Sequence, residues 1–258
     1  MGDEFWLGTV QVIGVEGLPI VKEGDNLGEL ICEAAKKQGI PIQGGDIIVV
    51  THVVVSRAEG NVVNLDEVVP SEFAKCIAEQ FGKDPALVEV VLRESRGISR
   101  MRDGILITES KHGFVCANSG VDRSNVLGER MVALLPEDAD ASAERIRREI
   151  GRVSGCDVAV IVSDSHGRPL RWGAINVAIG VAGIRPIRDR RGEKDLFGYV
   201  LMVKQTAVAD ELASAAELVI GQANEGIPVA IVRGYGYEKA EGASARDLVM
   251  PKEKDLYR

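Results

Sequence analysis

The chain has 258 residues, 45% apolar and 27% charged, enough for one large domain or two small ones with a real core. Its net charge of −8 argues against general nucleic-acid binding, which needs basic surface against the phosphates. No apolar run approaches the roughly 20 residues needed to span a bilayer, so no membrane partner is expected.

In chain order, Asp3 and Glu4 stand where a signal peptide needs a basic segment, so no targeting segment and a cytoplasmic location are expected. Val10–Val15 reads as a first strand, followed by a turn over Gly17-Leu18-Pro19-Ile20-Val21. Asn26 is placed to cap a helix over Leu27–Gln38, with Leu27, Leu30, Ile31 and Ala34 on one face. Asp46–Val55 reads as a strongly apolar strand. Ser71 and Asp84-Pro85 look like the starts of two further helices. Residues 71–99, helical and charged throughout on this reading, suggest a small helical subdomain within a single domain over 1–258. Ile105–Thr108 and Phe114–Ala117 are expected to pair as a hairpin. A strand at Met131–Leu135, a helix from about Ser142 to Ile150, and strands at 159–162 and Ala174–Gly183 follow. A helix over Ala207–Ile220 and a strand at Pro228–Arg233 close the alternation, which predicts a mixed α/β fold. The four cysteines lie far apart with no C-x-x-C pair, as expected of reduced thiols.

Within this series the run Ala159-Val160-Ile161-Val162-Ser163-Asp164-Ser165-His166-Gly167-Arg168 is the most informative. A continuous β-branched run reads as a strand covered on both faces, and its carboxyl end is where open α/β-type sheets tend to place ligands. Asp164 there either holds a divalent cation against a phosphate or caps a plain strand-to-turn exit. Seven basic residues between Arg168 and Lys194 (Arg168, Arg171, Arg185, Arg188, Arg190, Arg191, Lys194) form either an anion-attracting patch beside that strand or a solvated basic loop. Walker A, Rossmann, kinase and G-x-S-x-G signatures are all missing. The three histidines, His52, His112 and His166, form no metal-ligand pattern, and His166 is expected to be a local hydrogen-bonding residue.

Three further segments combine glycine with carboxylate or amide groups at loop positions: Val55–Gly60, Asn118–Asn125 and Ile220–Pro228. Asp122 with Asp164 could supply hard oxygen ligands to one cation, and Ser165 with Gln222 weaker oxygens to a second. Together with Glu16-Gly17-Leu18-Pro19, Ser163–Arg168, Val208-Ala209-Asp210-Glu211, Gly226-Ile227-Pro228-Val229 and Ser244–Leu248, these segments resemble the coenzyme F420-0:L-glutamate ligases, the γ-glutamyl ligases of deazaflavin coenzyme biosynthesis. The resemblance covers nearly the whole chain outside Met1–Gly8.

That resemblance implies an unusual mixed α+β fold in an intertwined homodimer. It implies GTP-dependent amide ligation: a carboxylate of F420-0 is phosphorylated, and the amine of L-glutamate displaces phosphate from the acyl phosphate. A second glutamate is then added through the γ-carboxylate. Two divalent cations, Mg²⁺ or Mn²⁺, with K⁺ as accessory ion, are the implied cofactors. Carried over by position, Asp122 and Asp164 match ligands of the first metal, and Ser165 and Gln222 match ligands of the second. Leu18, Pro19, Ile20, Val21, His52, Val53, Arg57 and Asn125 match nucleotide contacts. The loop Ile220, Gly221, Gln222, Ala223, Asn224, Glu225, Gly226 and Ile227 matches the segment wrapping GTP. No residue is marked as a general base. Arg57 stands where lysine is usual, Thr51-His52-Val53 replaces a small polar stretch, and Ser165 stands where threonine is frequent. A same-fold ligase with another carboxylate acceptor, and a non-catalytic nucleotide-binding homologue, are the alternative functions.

Overall fold

The computed structural model describes residues 6–255; the acidic start at Asp3 and Glu4 lies outside them. In chain order the elements are β1 (Trp6–Gly14), α1 (Leu27–Lys37), β2 (Ile47–Thr51), α2 (His52–Ala58), β3 (Val62–Asn64), α3 (Glu72–Phe81), α4 (Pro85–Arg93), β4 (Ser95–Arg102), β5 (Ile105–Ser110) and β6 (Val115–Ala117). There follow β7 (Met131–Ala133), α5 (Ala139–Ser154), β8 (Ala159–Arg168), β9 (Arg171–Ala182), β10 (Arg188–Asp189), β11 (Gln205–Thr206), α6 (Val208–Ile220) and β12 (Val229–Tyr235).

Among the described residues the central sheet has the order β1-β12-β2-β8-β9, antiparallel throughout except for the β2–β8 pair. The expected mixed α/β class holds, in a largely antiparallel form. Ile47–Val50 and Ala159–Val162 are fully buried, because helices α5 and α6 pack on the sheet and α1 packs on α5. Burying each Ile or Val side chain contributes about 1.5–3 kcal/mol, so this double cover is the main source of stability for the strands that carry the site. A second, smaller core gathers Ile77 and Ala78 of α3, Leu87, Val88 and Val91 of α4, and Leu106, Val121 and Val132. No helix among the described residues is long and apolar enough to cross a membrane.

The helix starts follow from local chemistry. Asn26 accepts from Glu29 N–H at 3.0 Å, Ser71 from Ala74 N–H at 3.2 Å and Asp84 from Ala86 N–H at 2.9 Å, with Pro85 in the first turn of α4. Each cap satisfies an amide that the helix leaves without a partner.

Four expectations need correction. The strand expected over Asp46–Val55 ends at Thr51, and His52–Ala58 form helix α2. Val53, Val54 and Val55 are buried there as they would be in a strand, so packing overrides the β-branched preference. The 71–99 segment is not helical throughout, because Ser95–Arg102 pair with β5. Most of β4 is exposed, so its sequence lacks the alternation that marks a half-buried strand. The strand at 159–162 does not stop at Asp164 but runs on to Arg168, paired with β9 into an exposed two-stranded ribbon. Helix α5 is longer than expected, spanning Ala139–Ser154 with Asp138 as its cap. The hairpin of β5 and β6 forms as expected, closed by Ser110 N–H to Phe114 O at 2.8 Å.

Candidate functional site

The parallel register of β2 and β8 pairs Thr51 with Ser163. The next residue on each chain is therefore delivered to the same end of the sheet, where His52 Nε2 lies 3.2 Å from Asp164 Oδ1. His166, two residues further along β8, places its Nε2 3.1 Å from Asp164 Oδ2. His166 is thus the local hydrogen-bonding residue expected from sequence. Its ring meets Phe114 edge-on with centroids 6.4 Å apart, with Cys116 beside it.

The three groups set one another's charge. Burial acts to push the Asp164 carboxyl up, but the His52 charge and the hydrogen bonds from both imidazoles hold it well below the usual carboxylate range. Burial likewise acts to lower His52, and Asp164 beside it outweighs that and raises it. His166 follows the same logic: burial lowers it, while Asp164 and Cys116 carry it up to about 10. Asp164 is accordingly an anion at physiological pH.

Asp122 reaches the site from the 118–125 loop. Its backbone bridges Ala133 with N–H···O distances of 3.0 and 2.8 Å, and its carboxylate accepts from Ser124 N–H at 2.7 Å and Ser124 Oγ at 2.9 Å. Asn118, Ser119 and Asn125 all hold left-handed backbone conformations, uncommon for residues with a side chain. The loop keeps this shape because Ser119 is buried and its hydroxyl is bonded to Ser95 Oγ and Thr108 Oγ1, each at 2.7 Å.

A polar cluster forms the opposite wall. Asn176 Oδ1, in the middle of β9, accepts from Ser165 Oγ at 2.7 Å and from Gln222 Nε2 at 3.1 Å. Gln222 also reaches Glu217 at 2.8 Å, and its loop is braced by Ala223 N–H to Glu225 at 2.8 Å. On the third side, Arg57 of α2 donates to Val21 O at 2.7 Å and so ties the 18–21 turn to the helix that starts at His52.

These pieces enclose one cleft of about 320 Å³. Leu18, Pro19, Ile20, Val21, His52, Val53, Arg57, Asp122, Asn125, Asp164 and Ser165 all line it. So do Ile220, Gly221, Gln222, Ala223, Glu225, Gly226 and Ile227; Asn224 alone of the expected residues is not part of the wall. None of the seven basic residues between Arg168 and Lys194 lines it, and several are paired locally: Arg185 with Glu238 at 2.5 Å, Arg190 with Glu193 at 2.9 Å, and Arg191 with Asp189. The expected basic patch beside the site is therefore not part of the cleft wall. Sequence reasoning missed Asn176 and Ser124. The signal for Asn176 was present, as the one amide in the run Ile175-Asn176-Val177-Ala178.

Among the described residues no group of three or more His, Cys, Asp or Glu side chains is arranged to hold a metal ion. The donors lining the cleft are instead three carboxylates, Asp122, Asp164 and Glu225, with hydroxyl and amide oxygens. That is a set suited to hard cations that keep part of their coordination for water and phosphate.

Comparison with known proteins places this arrangement in context. Residues 17–234 match the family described as F420-0:Gamma-glutamyl ligase. The chain is 49% identical to the coenzyme F420:L-glutamate ligase of Methanothermobacter thermautotrophicus over 96% of its own length and 99% of the relative's. It is also 49% identical to the enzyme of that name from Methanocaldococcus jannaschii, over 96% of this chain and 97% of the relative. Identity to the corresponding protein of Methanopyrus kandleri is 45%, over 98% and 100%.

Proposed function

Because this chain belongs to the F420-0:gamma-glutamyl ligase family, we propose that it joins L-glutamate to coenzyme F420-0 by an amide bond, driven by GTP, and extends the product with a second, γ-linked glutamate. The observation that carries this reading is the meeting of Asp122 and Asp164, from segments far apart in sequence, in one cleft with the 18–21 and 220–227 loops.

The chemistry sets the task. A carboxylate anion is a poor electrophile, so an oxygen of the F420-0 carboxylate takes the γ-phosphoryl group of GTP and GDP departs. The glutamate amine then attacks the acyl carbon, the C–O bond to phosphate breaks, and the amine loses a proton. Most of this requires positioning and charge neutralisation, not covalent participation by the protein. Two divalent cations, Mg²⁺ or Mn²⁺, with K⁺ as accessory ion, would supply the positive charge that offsets the triphosphate. Asp122 and Asp164 would hold the first, and Ser165 and Gln222 the second; the oxygen-rich lining of the cleft supports this reading.

The other walls have roles of their own. The 18–21 turn and the 220–227 loop would flank the nucleotide, and Val53 and Ile227, which line the cleft, would meet its base. Arg57 orders the 18–21 turn through Val21 O. Asn125, held in its left-handed conformation, presents its amide from the Asp122 loop.

We further propose that the active form is a homodimer. Leu170, Trp172, Leu196, Phe197 and Val203 are each at least 86% exposed. So much apolar surface on one stretch of chain suits a protein-protein interface.

Incubation with F420-0, L-glutamate, GTP and Mn²⁺, followed by mass analysis, tests the activity. Products carrying one and then two added glutamates, with one GDP and one phosphate per addition, support it. GTP that stays intact when both acceptor and amino acid are present overturns it.

A further inference from the structure

Three nitrogens surround the Asp164 carboxylate. Its Oδ1 accepts from Ser165 N–H at 2.7 Å and faces His52 Nε2 at 3.2 Å, while Oδ2 faces His166 Nε2 at 3.1 Å. An ionised carboxylate offers about four acceptor sites. One is left over, and it is on Oδ2.

His52 is unusual among these partners. Its side chain is 3% exposed, and its other ring nitrogen, Nδ1, is buried with no hydrogen-bond partner. A buried polar atom left without a partner is a cost that an apolar side chain of similar size would avoid. Asp164 is the polar partner of the ring, and the rest of the imidazole's polar capacity is left unused. His166 is fixed differently, by the Phe114 ring and Cys116.

We propose that His52 and His166 are positioning residues that grip Asp164 from both oxygens, hold it to a single free acceptor site on Oδ2, and thereby set the affinity of the cleft for a divalent cation. This deepens the ligase reading and rests on its assignment of Asp164 as a ligand. The physical reason is that a carboxylate free to swing must be ordered when the cation binds, whereas one already fixed by N–H donors is not. Outer partners of this kind typically change metal affinity by roughly 10–100-fold when removed.

The decisive comparison is His52→Leu against His52→Gln, whose amide can still donate toward Asp164 Oδ1. Mn²⁺ alone is titrated into each protein and the free ion is followed by its electron paramagnetic resonance signal. Thermal midpoints are measured beside it. For His52→Leu the expected result is Mn²⁺ affinity lower by roughly 10–100-fold, measured at a temperature where both proteins remain folded. His52→Gln recovers most of the affinity. Wild-type affinity in His52→Leu overturns the proposal, as does an affinity loss that simply follows a drop in midpoint. Phosphate release from GTP with F420-0 and glutamate, run on the wild type, separates the two readings. Its absence beside His52-dependent Mn²⁺ binding rejects the ligase and leaves the grip on Asp164 standing. Its presence beside His52-independent binding does the reverse.

Discussion

Thr51 and Ser163 are partners across the parallel β2–β8 pair, and that single register brings His52 and Asp164 together. A slip of one residue would turn every side chain of the strand to the other face and separate them. The register is held by Ile47–Val50 against Ala159–Val162, all fully buried, so the site depends directly on the central core.

Asp164→Asn keeps the side-chain volume and removes the charge. Glutamate-dependent phosphate release is expected to fall by about 100-fold or more, the scale seen when one group that stabilises developing charge is removed. The far-UV circular dichroism spectrum should be unchanged. Turnover close to wild type would show that Asp164 does not serve the chemistry.

Gly180 marks the closest approach of sheet and helix. A Cβ there would lie 2.3 Å from Ala139 O and 2.4 Å from its carbonyl carbon, in the first turn of α5. Backbone cannot move aside as a flexible side chain can. Gly180→Ala is expected to cost about 1–3 kcal/mol or more in urea unfolding. A change within a few tenths would mean that α5 is not seated on β9 as described.

Glu89, on helix α4, makes a pH-dependent contribution to stability. Hydrogen bonds from the Ser71 hydroxyl and amide, with Arg93 beside them, lower its carboxyl from 4.5 to about 2. A carboxyl depressed by folding stabilises the folded state fully above its unfolded value and loses that contribution as pH falls through the folded one. The stability gap between wild type and Glu89→Gln is therefore expected to be constant near neutral pH and to shrink between 4.5 and about 2. Denaturant midpoints of both proteins across that range measure it. A gap that widens on acidification would contradict the assignment.

Leu196 and Phe197, each 92% exposed, test the proposed dimer. Replacing both with glutamate is expected to leave a folded monomer by sedimentation equilibrium, since charged groups are disfavoured at the core of an interface. A dimer of undiminished affinity would place the interface elsewhere.

Much of the fold could be read locally. Asn26, Ser71 and Asp84 announced their helices because a cap depends on residues only two or three positions away. Val53–Val55 misled because a buried β-branched run looks the same in either conformation, and the choice was made by packing against β8 and β7. β4 escaped because its polar residues show neither helical nor strand periodicity. For the site, the pairing of Asp122 with Asp164 rested on their residue type and loop positions, reinforced by likeness to a family, since nothing local joins positions 42 residues apart. The grip of His52 on Asp164 was not legible at all, because it depends on the register of two distant strands.

The placement of β12 between β1 and β2 has a consequence for how the molecule comes into being. Val229–Tyr235 are synthesised long after β1 and β2, yet among the described residues β12 is what bridges those two strands. During synthesis those early strands must wait with open edges, exposed to mispairing, until the last strand slots in. Emergence of β12, more than any local helix, is then the event that commits the sheet to its final form.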